Sequence, residues 1–314
     1  MSVEVPRPIA LSGATGLVGG RLLPALSRAG HPIRLLTRNP ARLRPSGSQG
    51  ESGRPPVEPF AWDGTHAPRA ALCGAEAVVH LAGEPIFGGP FTAARRSRVY
   101  DSRIRSTEDL AAALGELPPN ERPQVLVCAS AVGYYGSRGE ELLDESKAPG
   151  EGFFPRLCVA WEGAAARAAR HGVRVVQLRI GIVLAREGGA LPKMVLPFRL
   201  GLGGPLGDGR QWVPWIHVDD LVALIEQTLA DPSYQGPVNA VAPFAVRNAE
   251  LTGEIAHQLR RPALVRVPGF LVRALAGELA GEVLGSRRVV PQRAREAGFR
   301  FVHEQLPSAL AAEL

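Results

Sequence analysis

The chain has 314 residues, of which 45% are hydrophobic and 21% charged, a balance typical of a globular protein with a large core. The net charge of +6 rests almost entirely on arginine, because Lys147 and Lys193 are the only lysines. The arginines are spread along the chain without a basic block, which argues against nucleic-acid binding. No run approaches the roughly 18 apolar residues of a membrane span, so no membrane contact is expected.

Short apolar runs alternate with helical stretches in the first half of the chain, which predicts βαβ units around a parallel sheet. The predicted strands are Ile9–Ser12, Ile33–Thr37, Glu58–Trp62, Ala77–Leu81, Val125–Ser130 and Val173–Leu178. The predicted helices lie near Leu17–Ala29, Thr92–Leu114, Pro155–His171 and Val218–Leu229. Residues 39–56 are rich in Pro, Gly, Ser and Arg and predict a surface loop.

The alternation of predicted strands and helices becomes less regular from Ala185 onward, where glycine and proline are frequent. The sequence therefore predicts an α/β fold with two parts. Residues 1–184 form a doubly wound parallel sheet of the Rossmann type, and residues 185–314 form a smaller α+β domain that faces the substrate.

The cysteines and the N-terminus carry little functional signal. Cys73, Cys128 and Cys158 form no CxxC, and no histidine pairs with a cysteine at metal-ligand spacing, so neither a disulfide framework nor a metal site is expected. The N-terminus has no basic segment followed by an apolar stretch, so no signal peptide is expected and the cytoplasm is the expected location.

A glycine-rich turn follows the first predicted strand. Gly13, Gly16 and Gly19 form GxxGxxG between an apolar strand and an amphipathic helix, which is the context that a dinucleotide-binding turn requires. Gly13 permits the tight turn, Gly16 lets the backbone approach a pyrophosphate, and Gly19 lets the helix pack on the strand. The residues predicted to contact the cofactor here are Gly13, Thr15, Gly16, Leu17, Val18 and Gly19.

The end of the second strand predicts which nicotinamide cofactor is preferred. An NAD site has a carboxylate there for the ribose 2′-hydroxyl, but no acidic residue occurs between Glu4 and Glu51. Arg38 offers a guanidinium suited to a 2′-phosphate, and Thr37 adds a hydroxyl donor. The sequence therefore predicts NADP(H) rather than NAD(H).

Several motifs resemble one large family. The segments Gly13–Gly19, His80–Gly83, Ser130–Gly136 and Arg179–Leu184 resemble the extended short-chain dehydrogenase/reductases. More narrowly, the chain resembles the SDR39U1-like branch of the NAD-dependent epimerase/dehydratase proteins. This resemblance rests on His80–Ile86, Asp101–Ile104, Trp161–Ala165, Pro197–Asp220 and Asn239–Pro243, and it covers nearly the whole chain.

The resemblance implies further cofactor contacts and an activity. By analogy, Leu81, Ala82 and Gly83 pass under the adenine-ribose side of the cofactor, Asp63 lies near the adenine, and Val183 approaches the nicotinamide. Ser102 and Arg103 reach the cofactor phosphates or the substrate. Alternatively, Arg103 is an ordinary arginine on the surface of its helix. The implied activity is that of an oxidoreductase or epimerase acting on a small, anionic molecule.

The catalytic pattern of that family is interrupted in this chain. The family uses a Tyr-x-x-x-Lys pair, in which the lysine lowers the tyrosine pKa so that the phenol can transfer a proton. No tyrosine here is followed by lysine four residues later. In the helix where the pair belongs, Cys158 stands for the tyrosine and Glu162 for the lysine.

Two interpretations stay open at this stage. In the first, other residues carry the chemistry: Ser130 at the end of the fifth strand, Tyr134 or Tyr135 on the following loop, and Glu162 as acid or base if burial raises its pKa. In the second, the protein binds NADP(H) without turnover, as a sensor or scaffold. In that case Cys158 is a small, buried hydrophobic side chain, and Glu162 forms an ion pair with Arg167 or Arg103.

The second half contributes three candidate substrate residues. Lys193, Arg199 and Arg210 lie in a glycine- and tryptophan-rich region and suit an anionic ligand. The same composition also fits plain domain packing. The sequence leaves the substrate and the oligomeric state open.

Overall fold

The computed structural model describes residues 6–42, 55–86 and 89–314. Residues 43–54 of the predicted surface loop therefore lie outside the described residues. The strands are β1 Ile9–Ser12, β2 Ile33–Thr37, β3 Val57–Ala61, β4 Ala77–His80, β5 Val125–Ala131, β6 Leu142–Leu143, β7 Arg174–Ile180, β8 Ile182–Leu184, β9 Trp212–Val213, β10 Trp215–His217, β11 Gly236–Ala240, β12 Val246–Arg247 and β13 Arg288–Val289. The α-helices are α1 Leu17–Arg28, α2 Arg69–Leu72, α3 Ala93–Glu116, α4 Phe153–Ala166, α5 Leu191–Arg199, α6 Val218–Ala230, α7 Asn248–Gln258, α8 Gly269–Ala276, α9 Ala280–Leu284, α10 Gln292–Glu296 and α11 Leu306–Ala311.

Seven parallel strands form the central sheet, in the order β11-β7-β5-β4-β1-β2-β3. The chain moves from β1 toward one edge through β2 and β3, and then from β4 toward the other edge. The direction therefore reverses between β1 and β4, and ligands of such sheets bind in the crevice beyond the carboxyl ends of the strands at this point. The doubly wound Rossmann architecture predicted from the sequence is confirmed.

Alternating side chains of the strands enter two different cores. Ile9 and Leu11 of β1 pack with α1 and α6 on one face of the sheet, whereas Ala10 packs with α3 and α4 on the other. Because both faces are covered, strands such as β1, β4 and β5 are nearly continuous apolar runs, which is the pattern that made them recognisable in the sequence.

The seventh strand of this sheet comes from the second half of the chain. β11 pairs in parallel with β7, and α6 packs against α1. One strand of the sheet, β11, and one helix packed on it, α6, thus come from beyond residue 184, the predicted domain boundary. A separate apolar core unites α5, α7 and α11, with Leu191, Leu251 and Leu310 fully buried in it. The boundary itself stays a prediction.

The C-terminal segment returns to the sheet near the end of β5. β13 pairs in parallel with β6, which lies shortly after β5 in the chain. Arg138 N donates to Ser286 O at 2.8 Å, and Val290 N donates to Leu143 O at 3.0 Å. These bonds hold α9 and β13 beside the loop that follows β5. In the described ranges, no helix is both long and apolar enough to cross a membrane.

Candidate functional site: the crevice at the carboxyl edge of the sheet

The glycine-rich turn has the close backbone packing that a phosphate-binding turn requires. Gly13 has a φ of +78°, and a Cβ added to it would lie 2.7 Å from the carbonyl carbon of Leu81. A Cβ on Gly19 would lie 2.2 Å from Gly13 O. Side chains are therefore excluded at both positions, because the turn is pressed between β4 and α1.

The N-terminus of α1 is open toward the crevice. Gly16 is the N-cap residue, no side chain caps the helix there, and the first turn holds no acidic residue. Free backbone N–H groups and the positive end of the helix dipole favour an anion at this point. The residues present thus fit the pyrophosphate of a dinucleotide.

The end of β2 presents its arginine to solvent. Arg38 is exposed, and no hydrogen bond or ion pair joins it to another residue of the described ranges. Thr37 is half-buried, and its Oγ1 accepts a hydrogen bond from Asn39 N at 3.3 Å. Asp63 follows β3, where its carboxylate accepts hydrogen bonds from the backbone and hydroxyl of Thr65 that lower its pKa.

The loop after β4 is held by the two α3 residues that the resemblance singled out. Ser102 Oγ accepts from Glu84 N at 3.0 Å, and Arg103 Nη1 donates to Glu84 O at 2.9 Å. Arg103 is buried, with its guanidinium carbon 3.2 Å from the Cβ position of Gly83 and 5.2 Å from the ring centre of Trp161. Arg103 is therefore an inward-facing residue at the crevice and not a helix-surface arginine.

Val183 lies close to the start of α1. It belongs to β8, and its carbonyl lies 3.7 Å from the Cβ position of Gly189. The same Cβ position lies 2.9 Å from a methyl carbon of Leu17, so the loop after β8 rests on the start of α1. Val183 and Leu17, both predicted as cofactor contacts, thus belong to adjoining parts of one wall.

Three neighbouring strands place a row of polar residues across the sheet. Ser130 of β5 is in register with Arg179 of β7, and Arg179 is in register with Asn239 of β11. Ser130 Oγ donates to Glu162 Oε1 at 2.7 Å. Arg179 donates to both oxygens of Glu162, from Nε at 2.8 Å and from Nη2 at 2.9 Å.

The row continues through Tyr135 and is closed to solvent. Arg179 Nη1 donates to the Tyr135 hydroxyl at 2.9 Å, and this hydroxyl donates to Asn239 Oδ1 at 2.7 Å. The side chains of Arg179 and Glu162 are only 3% and 11% exposed. Burial disfavours the charge on Arg179, but the bonds and attraction of Glu162 outweigh it and raise the pKa of the guanidinium.

The network changes how Glu162 is understood. Its partner is Arg179, not Arg167 or Arg103 as the sequence suggested, because Arg167 pairs with Glu108 on α3. Both Glu162 oxygens are already engaged by donors. Arg179, which lies among apolar residues near the end of the strand Arg174–Ile180, was the available signal, since a buried charge needs a partner.

Tyr134 and Cys158 border this network in different ways. The Arg179 guanidinium carbon lies 3.4 Å from the ring centre of half-buried Tyr134, a cation–π contact. Cys158 is buried, and its thiol donates to Ala131 O at 3.6 Å. Burial raises the pKa of Cys158 to about 12, so its thiol stays protonated near neutral pH and is a poor nucleophile.

The predicted substrate residues lie at exposed positions of the second half. Lys193 and Arg199 belong to α5, and Arg210 precedes β9. Arg210 N donates to Asp208 Oδ1 at 3.0 Å, which shapes this loop. Their exposure leaves them accessible to an anion, and their role as substrate contacts stays a prediction.

One group of side chains has the composition of a metal site. Ligand atoms of His217, Asp219 and His303 lie within 4.8 Å of one another. However, His217 Nδ1 accepts a hydrogen bond from Asp219 N, and its Nε2 lies 3.1 Å from a carboxylate oxygen of Glu313. Nδ1 is thus committed to the cap of the helix, and His217 serves as the N-cap residue of α6.

Fold and turn together define a Rossmann-type protein of the extended dehydrogenase/reductase class. The chain belongs to the NAD dependent epimerase/dehydratase family, whose model matches residues 9–240. A second model, a domain of unknown function (DUF1731), matches residues 267–313, the segment that carries α9 and β13.

Relatives extend this assignment over nearly the whole chain. The epimerase family protein SDR39U1 homolog, chloroplastic, of Arabidopsis thaliana is 39% identical over 310 residues, which covers 98% of this chain and 87% of that protein. A crystal structure of the human epimerase family protein SDR39U1 (isoform 2) with NADPH has a TM-score of 0.85 and 32% identity, covering 97% of this chain and 98% of the human one. The resemblance to the SDR39U1-like branch is thus confirmed.

A third relative is longer than this chain. The nucleoside-diphosphate sugar epimerase of Corynebacterium glutamicum has a TM-score of 0.78 and 33% identity. The match covers 98% of this chain but 58% of that protein.

Proposed function

We propose that the protein binds NADP(H) and is an oxidoreductase or epimerase acting on a small, anionic molecule. One observation supports the choice of cofactor. The turn from Gly13 to Gly19 has no room for side chains and leads into the uncapped N-terminus of α1. Arg38, at the end of the neighbouring strand β2, is exposed and has no partner among the described residues. A similar protein at 32% identity was crystallised with NADPH, which supports the choice of cofactor. When bound, NADP(H) supplies or accepts a hydride.

The chain's own residues would hold the cofactor along one continuous path. The amides at the start of α1 bind the pyrophosphate, Arg38 and Thr37 bind the 2′-phosphate, and Asp63 borders the adenine. Leu81, Ala82 and Gly83 lie beneath the adenine-ribose side, with Ser102 and Arg103 behind them. Val183 packs against the nicotinamide and keeps water from one of its faces.

The substrate would be held by the second half. Lys193, Arg199 and Arg210 attract its negative charge, while residues 185–314 cover the crevice. The C. glutamicum relative is named for a nucleoside-diphosphate sugar, an anionic substrate of this kind. We propose the cytoplasm as the location of this activity.

A second candidate function is supported by the buried network. Ser130 and Glu162 bond to each other, and Glu162 also binds Arg179, so neither is a free acid or base. A protein that binds NADP(H) and responds to the redox ratio without turnover would need no such group.

A reversal of cofactor preference tests the first part. Arg38→Glu should weaken NADPH binding by at least about tenfold, because it removes a charged hydrogen bond worth about 1.5–3 kcal/mol and adds repulsion. NADH binding should be retained, since the new carboxylate can accept from a ribose 2′-hydroxyl. Dissociation constants from fluorescence titration measure both.

Arg28→Glu is the matched control, because it makes the same charge change at an exposed position on α1. It should leave the ratio of the two dissociation constants unchanged. Equal losses of NADPH affinity in the two variants would contradict the role of Arg38. Turnover is tested separately, by NADPH oxidation with a panel of sugar nucleotides, aldehydes and ketones. Silence across the panel, with NADPH bound, would favour the second function.

A further inference from the structure

A carboxylate from the C-terminal segment lies against the turn that follows β5, close to Cys158. A Cβ added to Gly133 would lie 3.3 Å from Glu282 Oε2 and 3.9 Å from Cys158 Sγ. Gly133 belongs to the 3-10 turn that continues β5, and Glu282 belongs to α9. Glu282 Oε2 and the Cys158 thiol thus face the same small space at the carboxyl edge of the sheet.

Arg287 fixes the position of Glu282. Its Nη2 donates to Glu282 Oε1 at 2.6 Å, and its Nη1 donates to Glu282 O at 3.2 Å. Arg287 is 4% exposed, and its backbone N donates to Trp212 O at 3.1 Å. Ser286 Oγ donates to Gly139 O at 2.8 Å, which ties the same segment to the loop after β5. Oε1 is therefore held, while Oε2 is the oxygen directed toward Gly133.

This space adjoins the predicted path of the cofactor. Cys158 stands where the resembling family has its tyrosine, the residue that transfers a proton beside the nicotinamide. Arg103 lies near enough to Cys158 for its charge to oppose the rise in the pKa of the thiol, and its guanidinium packs on Gly83, which we place beneath the cofactor. Arg103, on the side of the cofactor-binding loop, and Glu282, on the side of the C-terminal segment, thus both lie near Cys158.

We propose that Glu282 is the proton-transferring group of this site and that it faces the nicotinamide. The inference rests on the proposed function. In the reduction of a carbonyl, bound NADPH delivers a hydride to carbon, and the Glu282 carboxyl gives its proton to oxygen. The alcohol and NADP⁺ leave, and the Glu282 carboxylate regains a proton from water. The reverse reaction uses the carboxylate as the base.

The surroundings of Glu282 suit this task better than those of Glu162. Burial raises the pKa of Glu282, and the Arg287 guanidinium only partly opposes this. A raised pKa brings a carboxyl closer to the range in which it can both give and take a proton. The other titratable groups that face this space are the Cys158 thiol and, behind it, Arg103 and Glu162. Glu162 is paired with Arg179, whose charge opposes its own.

Cofactor binding tests the position of Glu282 without turnover. Oxidised nicotinamide carries a positive charge that reduced nicotinamide lacks. An ionised Glu282 nearby therefore strengthens the binding of NADP⁺ but not of NADPH. The ratio of the two dissociation constants, measured by calorimetry from pH 5 to 8, removes effects that both forms share, including titration of the 2′-phosphate.

We expect the ratio of NADP⁺ to NADPH dissociation constants to rise about tenfold as the pH falls and Glu282 becomes protonated. Glu282→Gln should make the ratio independent of pH, and Glu282→Asp should restore part of the dependence. Glu278→Gln is the matched control and should behave as wild type, because Glu278 is exposed in the turn before α9 and pairs with half-buried Arg96. Thermal unfolding checks that each variant is folded.

Turnover tests the proton transfer. With any carbonyl substrate found in the panel, Glu282→Gln should lower kcat by about 10²–10⁴-fold with KM changed only a few-fold. The kcat of wild type should fall as the pH rises through the pKa of Glu282, and the residual kcat of the variant should lack this dependence.

The possible failures differ from one another. In the first, wild type turns over a substrate, but the ratio of NADP⁺ to NADPH dissociation constants is the same in wild type and in Glu282→Gln at every pH. This result overturns the inference and leaves the proposed function standing. Bound NADPH with silence across the panel refutes the oxidoreductase function, and Glu282 then loses its role as proton donor. A protein that binds neither form of the cofactor refutes both.

Discussion

Replacing Glu162 with glutamine tests whether the polar row across the sheet is a structural network. Arg179 is 3% exposed, and its charge is balanced by the two Glu162 oxygens. The amide keeps one oxygen for Ser130 and Arg179 Nε, but it directs its NH2 group at Arg179 Nη2, donor against donor. The negative charge is also lost. Removing one partner of a buried ion pair costs about 3–5 kcal/mol, so we expect the free energy of unfolding to fall by that amount.

Urea denaturation followed by tryptophan fluorescence measures this loss. The matched control is Glu108→Gln, which breaks the pair with Arg167, where the side chains are 36% and 55% exposed. It should cost less than about 1 kcal/mol, because exposed ion pairs contribute little. The double variant Glu162→Met/Arg179→Met should recover much of the loss, since no charge is left buried without a partner. A loss in Glu162→Gln no larger than in the control would refute the reasoning.

Two further predictions concern the turn and a buried histidine. Gly19→Ala should lower both the stability and the NADPH affinity of the protein, because the new Cβ would clash with Gly13 O. The control Gly20→Ala, on the exposed side of α1, should instead stabilise the helix by up to about 1 kcal/mol. Calorimetric NADPH binding and urea unfolding compare the two variants. Burial lowers the pKa of His80 to about 4, so between this value and about 6.5 the unfolded chain binds a proton that the folded protein excludes. The folded protein therefore loses up to about 3 kcal/mol of stability as the pH falls through this window. In urea unfolding, the difference in free energy of unfolding between wild type and His80→Asn should shrink from pH 7 to pH 4.5. A difference that stays constant would contradict the assignment.

The cofactor half of the site was predictable because its signals are local. The turn from Gly13 to Gly19 lies in one strand–turn–helix unit, and its glycines are needed for packing that the unit itself creates. Apolar runs mark the strands because both faces of the sheet are covered. The missing carboxylate at the end of β2 is likewise a local observation.

The polar row was not predictable because strand register creates it. Ser130, Arg179 and Asn239 are separated by tens of residues and meet only when β5, β7 and β11 pair in one register. The sequence ended the predicted sheet before β11, so Asn239 had no assigned neighbour. Glu162 could be matched only with arginines near it in sequence or named by the resemblance, and its actual partner is on a strand.

The C-terminal segment connects these two findings. Asn239 Nδ2 donates to Val290 O at 2.9 Å, and Glu145 Oε1 accepts from both Asn239 N and Arg293 N. The segment that carries Glu282 is therefore bonded to the far end of the polar row. On α4, Cys158 is a buried thiol and Glu162 is paired with Arg179, so neither is a free proton donor or acceptor. The proposed proton transfer therefore requires a group on another element, and this is why we propose Glu282 of α9 for that role.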